Sequence, residues 1–432
     1  MTIGRNGPEL DFKWGLFFDN TRRTLTYTAT PPAGETGTKT FAGLASFDGT
    51  NVAIGGARTL SSCCPGATLA VGMGRFGANG GWVSTHAGKD GGFALQSWLH
   101  LPRDAYNATG GGVHVAVGDV DGEGLDEIVL GLGTHGGGWI AVLDDSAHGY
   151  ALLKWIQVGW DAYNASNGEV FPAVGDIDGD GHAEIIAGLG TGSQGRVEIF
   201  DDASTGYQHL AWRQVAWPAY NAADGTTHPA VGDLDGDRKA EIVLGLGSGG
   251  GGWIEVLQSS AGNYNHGSWL QVSWPAYNAS NGTTYPAVGD IDGDGPAEIV
   301  IGLGQGGGGW VEFLDDKTAD YAHLRWFQLP WDAYHKSNGE THPAVGNVDT
   351  DSRAEIVFGL GPFQGQGGWL FAMDDATSNY ATLGWFQVAW NAFVQDGGET
   401  FSALGGPDRY GRKALRISAT VSGVPGEGGK AH

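Results

Sequence analysis

The block that begins at Asp119 returns at Asp176, Asp233, Asp290 and Asn347, each time after 57 residues. A period of that length means that the chain stacks copies of one small unit, none of which can bury its apolar face alone. Each unit reads alike. An acidic loop leads into a strand such as Glu298-Ile-Val-Ile-Gly302, a Gly-rich turn, and a strand such as Trp310-Val-Glu-Phe-Leu314. Asp315-Asp316 and a turn containing Tyr321 follow, then the strand Leu324–Leu329, the segment Trp331-Asp-Ala-Tyr334, and apolar Pro343-Ala-Val345 before the next acidic loop. That is four short strands per unit, separated by turn signals and without helical periodicity.

Weaker copies flank the five strong ones. Thr400-Phe-Ser-Ala-Leu404 matches Thr341-His-Pro-Ala-Val345, and Lys413–Ser418 reads as a second strand. At the other end, Trp14–Asn20 and Arg23–Thr28 resemble strands three and four, and Thr40-Phe-Ala-Gly-Leu44 opens a further unit continued by Thr68–Gly72, Trp82 and Trp98. First strands near Phe41, His114, Phe171, His228, Tyr285, His342 and Phe401 count to seven. A unit shared between the two ends suits a closed ring, which has no exposed sheet edges. The expected fold is therefore an all-β, seven-bladed β-propeller of four-stranded antiparallel blades in one domain, 1–432. The first blade is expected at 41–112, the loop-bearing blades at 113–169, 170–226, 227–283, 284–340 and 341–399, and the last at 11–30 plus 401–420.

Composition narrows the partners. With 23 Lys+Arg against 48 Asp+Glu, a net charge of −25 disfavours nucleic acid and anionic membrane surfaces. No apolar run is long enough to span a bilayer. The start, Met1-Thr-Ile-Gly-Arg-Asn6, has no signal-peptide pattern, although an extracellular or cell-surface setting is expected. Cys63-Cys64 are the only cysteines, which excludes a disulfide scaffold and leaves two thiols or a vicinal disulfide open.

The acidic loops are not EF-hands. Position 12 of an EF-hand carries a bidentate carboxylate, whereas here it falls on Ile301, Ala187 or Leu244 within a strand pattern. The acids stand at positions 1, 3, 5 and 9, as in Asp290, Asp292, Asp294 and Glu298, with Gly293 and Gly295 permitting a tight wrap and the Pro296 carbonyl free to join. Four carboxylates in nine residues call for a hard cation.

This pattern, D-x-D-x-D-G-x-x-[DE] leading into an apolar strand and "GLG", resembles the FG-GAP repeat of integrin α-subunit propellers and their bacterial relatives. It is also similar in plan to a fungal seven-bladed lectin that binds N-acetylglucosamine. The resemblance implies calcium, about five ions. The ligands it implies are Asp119, Asp121, Glu123, Leu125 and Glu127 in the second blade, and Asp176, Asp178, Asp180, His182 and Glu184 in the third. Asp233, Asp235, Asp237, Lys239 and Glu241 follow in the fourth, and Asp290, Asp292, Asp294, Pro296 and Glu298 in the fifth. Asn347, Asp349, Asp351, Arg353 and Glu355 complete the set, the seventh position of each loop acting through its carbonyl. Arg238 and Ser352 replace a glycine and Asn347 lacks a charge, so the fourth and sixth sites are expected to be weaker.

Chain alternation puts the Gly-rich turns and the W-x-A-Y-N segments on the opposite face. Trp160, Tyr163, Asn164, Trp217, Tyr220, Asn221, Trp274, Tyr277, Asn278, Trp331 and Tyr334, with His228, Tyr285 and His342 just before the first strands, are the candidate ligand residues. Flat rings beside amides suit sugars, although packing between blades would also explain them. His135, His148, His182 and His266 show no repeated partner in sequence and read as surface residues. Asn107, Asn164, Asn278 and Asn281 stand in N-x-[ST] sequons. No blade departs from the others with a converging acid, base or nucleophile, so no catalytic residues are assigned. The functional expectation is a calcium-stabilised recognition propeller that binds glycans multivalently. An adhesion or assembly propeller that binds a surface protein is the alternative, and a propeller polysaccharide lyase or hydrolase comes third.

Overall fold

The structure, a computed structural model, describes residues 68–405 except 78, 261–262, 350 and 352, together with the backbone of eight strands nearer the termini. The chain forms two compact units, residues 64–411 and residues 1–63 with 412–432, rather than one. Among the described residues no helix is long and apolar enough to cross a membrane. Cys63 and Cys64 lie outside the described residues.

The larger unit is a β-propeller of six four-stranded antiparallel blades, not seven. Blades 2 to 6 are each continuous in sequence. Blade 2 runs through Val113–Gly118, Glu127–Leu132, Trp139–Leu143 and Leu152–Gln157, and blade 5 through Thr284–Gly289, Glu298–Leu303, Trp310–Leu314 and His323–Gln328. Blade 1 is composite: Leu69–Met73, Trp82–His86 and Leu95–His100 accept Thr400–Leu404 as their innermost strand. The first and last blades expected from sequence thus merge into one.

The merger follows from register. Phe401 pairs with Gly72 as His114 pairs with Gly131 and His342 with Gly359. A Cβ on Gly72 would lie 2.3 Å from the Val113 carbonyl oxygen of the next blade, and one on Gly245 2.3 Å from that of Thr284. Only glycine admits that approach. Thr400 also repeats the junction chemistry of its counterparts: its Oγ1 accepts the Leu360 N–H at 2.9 Å, as Thr284 Oγ1 accepts that of Leu246. Phe41, by contrast, stands 31 residues before Gly72 where every other blade allows 17. The strands around it pair elsewhere in the smaller unit, Leu44–Phe47 with Thr50–Ala53 and Gly37–Thr40 with Thr59–Ser62. Arg23–Ala29 and Leu415–Val421 do pair with each other, but as a two-stranded sheet of that unit and not as half a blade.

Each W-x-A-Y-N segment forms a short helix that the strand-dominated pattern did not reveal, such as Pro218–Ala223 and Pro275–Ser280 with proline at the start. Six apolar clusters fill the spaces between neighbouring blades, and their β-branched and leucine side chains are buried. The composite blade makes a direct prediction. In a chain with Cys63 and Cys64 replaced by serine, the substitutions Ala70→Cys and Ala403→Cys place thiols on directly paired residues. Mild oxidation should join them, detectable as a crosslinked peptide by mass spectrometry; a chain that never crosslinks would refute the six-bladed closure.

Candidate functional site

The acidic loops join the first and second strands of blades 2 to 6, on the face where the turns between strands three and four also lie. In blade 2, Asp119 accepts the Gly122 and Gly124 N–H groups at 2.7 and 2.9 Å, and Asp121 accepts that of Glu123 at 3.0 Å. Blade 5 repeats this, with Asp290 accepting from Gly293 at 2.6 Å and Asp292 from Asp294 at 3.0 Å. The ninth-position glutamate is buried in every loop: Glu127, Glu184, Glu298 and Glu355 are 0% exposed. One oxygen accepts the backbone N–H of position two, at 2.7 to 2.9 Å in these four. The other, Oε1, has no hydrogen-bond partner in any of the four. Burial, with the neighbouring aspartates behind it, pushes the carboxyls of Glu127, Glu184 and Glu298 up to about 9 and that of Glu355 to about 8.

The structure adds acids that the loop pattern omits. Asp144 brings an oxygen within 4.8 Å of those of Asp121, Glu123 and Glu127, and buried Asp202 does so for Asp180 and Glu184. Both belong to the Asp-Asp pairs that end the third strands, 144–145, 201–202, 315–316 and 374–375, a repeat visible in the sequence but unassigned there. Buried carboxylate oxygens without donors, clustered with further carboxylates, fit a calcium ion.

Two loops differ. The loops of blades 2, 4, 5 and 6 are each capped by the turn after the third strand of the following blade, through a backbone bond such as Ala203 N–H to Val120 O in blade 2. At blades 4 and 6 the capping residue is a lysine. Lys317 Nζ lies 2.6 Å from Asp235, and Lys89 Nζ lies 3.0 Å from Asp349 and 3.4 Å from Asp374. Blade 4 also has Gln258-Ser259 where blades 2, 3, 5 and 6 have Asp-Asp. Burial pushes Glu241 up to only about 7, with Lys317 pulling the other way. Arg238 takes the left-handed conformation of the glycine it replaces, φ 75°. In blade 6 the Asn347 amide donates to the Asp351 carbonyl. Of the seventh-position residues, Lys239 and Arg353 send their side chains to the carbonyls of Asp178 and Asp292 in the preceding blade's loop, at 2.6 and 3.3 Å.

On the other face the candidate ligand residues divide. Tyr163, Tyr220, Tyr277 and Tyr334 are buried. The Tyr277 hydroxyl donates to the Thr283 carbonyl at 2.6 Å and accepts the Gly304 N–H at 2.7 Å, and Tyr163 and Tyr220 are bound the same way. Asn164, Asn221 and Asn278 each donate Nδ2 to a backbone carbonyl six residues earlier at 2.7 Å. These groups lock the Gly-rich turn to the helix. The tryptophans remain half-buried: Trp160, Trp217, Trp274 and Trp331 each pack against the cluster of the following blade. Trp331 lies 6.1 and 5.8 Å from Trp369 and Trp385, and Arg103 replaces the tryptophan before blade 2 by stacking over Trp139 and Trp155.

His228, Tyr285 and His342 lie on the propeller axis. With His114, Phe171 and Phe401 they form a closed hexagon of rings whose neighbouring centroids are 4.1 to 4.7 Å apart. These residues line a cavity of about 90 Å³. Glu169, Glu340 and Glu399, two residues before their strands' ring members, stand at the mouth. Glu169 accepts from His114 Nε2 at 3.1 Å and Glu340 from the Tyr285 hydroxyl at 2.8 Å, while burial pushes Glu399 up to about 7.

His266, read from sequence as unpartnered, is one of a repeated set. His209, His266 and His323 present Nδ1 to buried Glu198, Glu255 and Glu312 at 2.8, 2.9 and 3.0 Å. The signal was present as a glutamate in the third strand and a histidine 11 residues later.

Comparison with known proteins is consistent with the repeat. A family model described as the FG-GAP-like repeat matches residues 176–244, from the acidic loop of blade 3 into the second strand of blade 4. No curated protein matches the chain. Among solved structures, an exotype rhamnogalacturonan lyase is 15% identical, with 87% of this chain and 72% of that one covered and a TM-score of 0.39. A Bacillus licheniformis rhamnogalacturonan lyase is 15% identical, with 91% and 77% covered and a TM-score of 0.38. The biofilm matrix protein Bap1 of V. cholerae is 16% identical, with 64% and 39% covered and a TM-score of 0.32. These likenesses are too distant to carry an argument about function.

The tyrosine bridge is testable. Tyr277→Phe leaves the buried Gly304 N–H and Thr283 carbonyl without their shared hydroxyl, and is expected to cost about 1–3 kcal/mol in denaturant unfolding. An unchanged midpoint would show that the hydroxyl does not hold this junction.

Proposed function

We propose that this chain is a calcium-braced recognition propeller whose ligand face is the one bearing the W-x-A-Y-N helices, and that its ligands are glycans. The observation that carries the reading is the half-buried tryptophan that recurs at successive blade junctions, Trp160, Trp217, Trp274, Trp331 and Trp390. With tyrosines and asparagines committed to the scaffold, these indole edges are the repeated apolar surface left for a sugar ring. Several weak, equivalent contacts would combine into avidity.

The brace is unequal around the ring. Calcium fits the loops of blades 2, 3 and 5, where the undonated oxygens of Glu127, Glu184 and Glu298 lie in carboxylate clusters that no lysine among the described residues pairs with; Glu355 in blade 6 keeps such an oxygen too, but in a cluster paired with Lys89. At blades 4 and 6 the ammonium groups of Lys317 and Lys89 supply the positive charge instead. Three ions are therefore expected rather than five. A filled site at a hundred times its dissociation constant adds about 2.7 kcal/mol to stability.

Isothermal titration of chelator-stripped protein should return three calcium equivalents, and chelation should lower the thermal midpoint. Lys317→Met should raise the count to four. Five equivalents in the unaltered chain would refute the lysine substitution, and none would refute the calcium brace. For the ligand, a glycan array in millimolar calcium should give hits that Trp217→Ala and Trp274→Ala weaken several-fold. Capture of a protein partner with no glycan bound would overturn the carbohydrate reading.

A further inference from the structure

The hexagon of axial rings is not symmetric in what surrounds it. The residues two positions before its members are Gly112, Glu169, Thr226, Thr283, Glu340 and Glu399. His228 is therefore flanked by threonines, and His114 by a glycine and one glutamate. His342 alone has a carboxylate from its own strand, Glu340, and one from the next, Glu399. This departure from the repeat falls where the chain's closing strand meets blade 6.

His342 is 4% exposed. Its Nδ1 lies 2.9 Å from the Thr400 carbonyl oxygen, which can only accept, so Nδ1 carries the proton and the neutral ring keeps its lone pair on Nε2. That nitrogen is buried and has no hydrogen bond. It faces Glu340 Oε1 at 3.5 Å and Glu399 Oε1 at 3.7 Å, and one donor atom from each of the three residues lies within 4.8 Å of the others. Those separations are long for a hydrogen bond between imidazolium and carboxylate. They are close to the spacing of two ligands on one tetrahedral ion, about 3.4 Å for metal–ligand bonds near 2.1 Å.

We infer that the axial mouth is a binding site for a borderline divalent transition-metal ion of the zinc type, held by His342 Nε2 and the carboxylates of Glu340 and Glu399. An imidazole donor favours such an ion over calcium, whose ligands are oxygens. The supports expected of such a site are present: His342 is oriented by its Nδ1–H bond to a backbone carbonyl, and Glu340 by the Tyr285 hydroxyl. Three protein ligands leave a coordination position for a water or a ligand group. The site stands apart from the acidic loops on the other face and does not depend on the identity of any glycan.

The full chain, stripped with chelator and returned to excess calcium chloride so that the loops are filled, would be titrated with zinc chloride and separately with cobalt chloride. One equivalent should bind in the presence of calcium, and cobalt should show the visible absorption of a nitrogen- and oxygen-ligated tetrahedral ion. Glu399→Gln, at a partly exposed position, should keep the fold and weaken binding more than about tenfold. Glu169→Gln, on the far side of the same ring, should leave it unchanged. Absence of the calcium-resistant equivalent, or equal affinity in both variants, would overturn the inference.

Discussion

At each blade junction a glycine in the second strand meets a backbone carbonyl at the start of the next blade. Gly131 faces Val170, Gly245 faces Thr284 and Gly302 faces Thr341, with no room for a methyl group between them. That approach sets the spacing of the innermost strands, and the spacing sets everything else. It brings the junction threonine within reach of the preceding blade's leucine N–H. It also brings six rings into mutual contact on the axis, some stacked and some edge-on. The blades are held mainly by burial of aliphatic and aromatic surface between sheets, and the glycines decide where that surface meets.

The acidic face answers a different physical need. A carboxylate with one undonated oxygen inside a protein is costly unless a positive charge stands against it. The chain meets that need in two ways within a single repeat. In two loops an ammonium group from the following blade pairs with an aspartate carboxylate, and in the other three the calcium proposed above would supply the charge. The ammonium solution is independent of any free ion.

Much of this was legible in the sequence and some was not. The period of 57, the order of strands within a blade and the placement of the acidic loops all follow from residue pattern alone, because each unit repeats its turn chemistry faithfully. The blade count did not follow. Phe41 and Phe401 look equally like first strands, and only pairing decides between them: a single strand can occupy the inner edge of Leu69–Met73. Gly72 was the available clue, since it marks a second strand awaiting its neighbour. The lysine caps were illegible for another reason. Lys317 and Asp235 are 82 residues apart and belong to different units of the repeat, so no reading of one unit at a time connects them. The tyrosines and asparagines of W-x-A-Y-N were seen, but whether such groups face a ligand or a backbone depends on turns elsewhere in the blade.

Blade 1 has a consequence for how the molecule is made. Its three outer strands leave the ribosome before any complete blade, while the strand that completes it, Thr400–Leu404, comes after blades 2 to 6. During synthesis the sheet edge of Leu69–Met73 therefore waits, unpaired, through the emergence of more than three hundred residues. Contacts of such long sequence separation form late, and an open strand edge is an invitation to pair with another chain. The nascent ring is thus most vulnerable to association just before its last residues appear, and the closing strand ends that exposure in a single step.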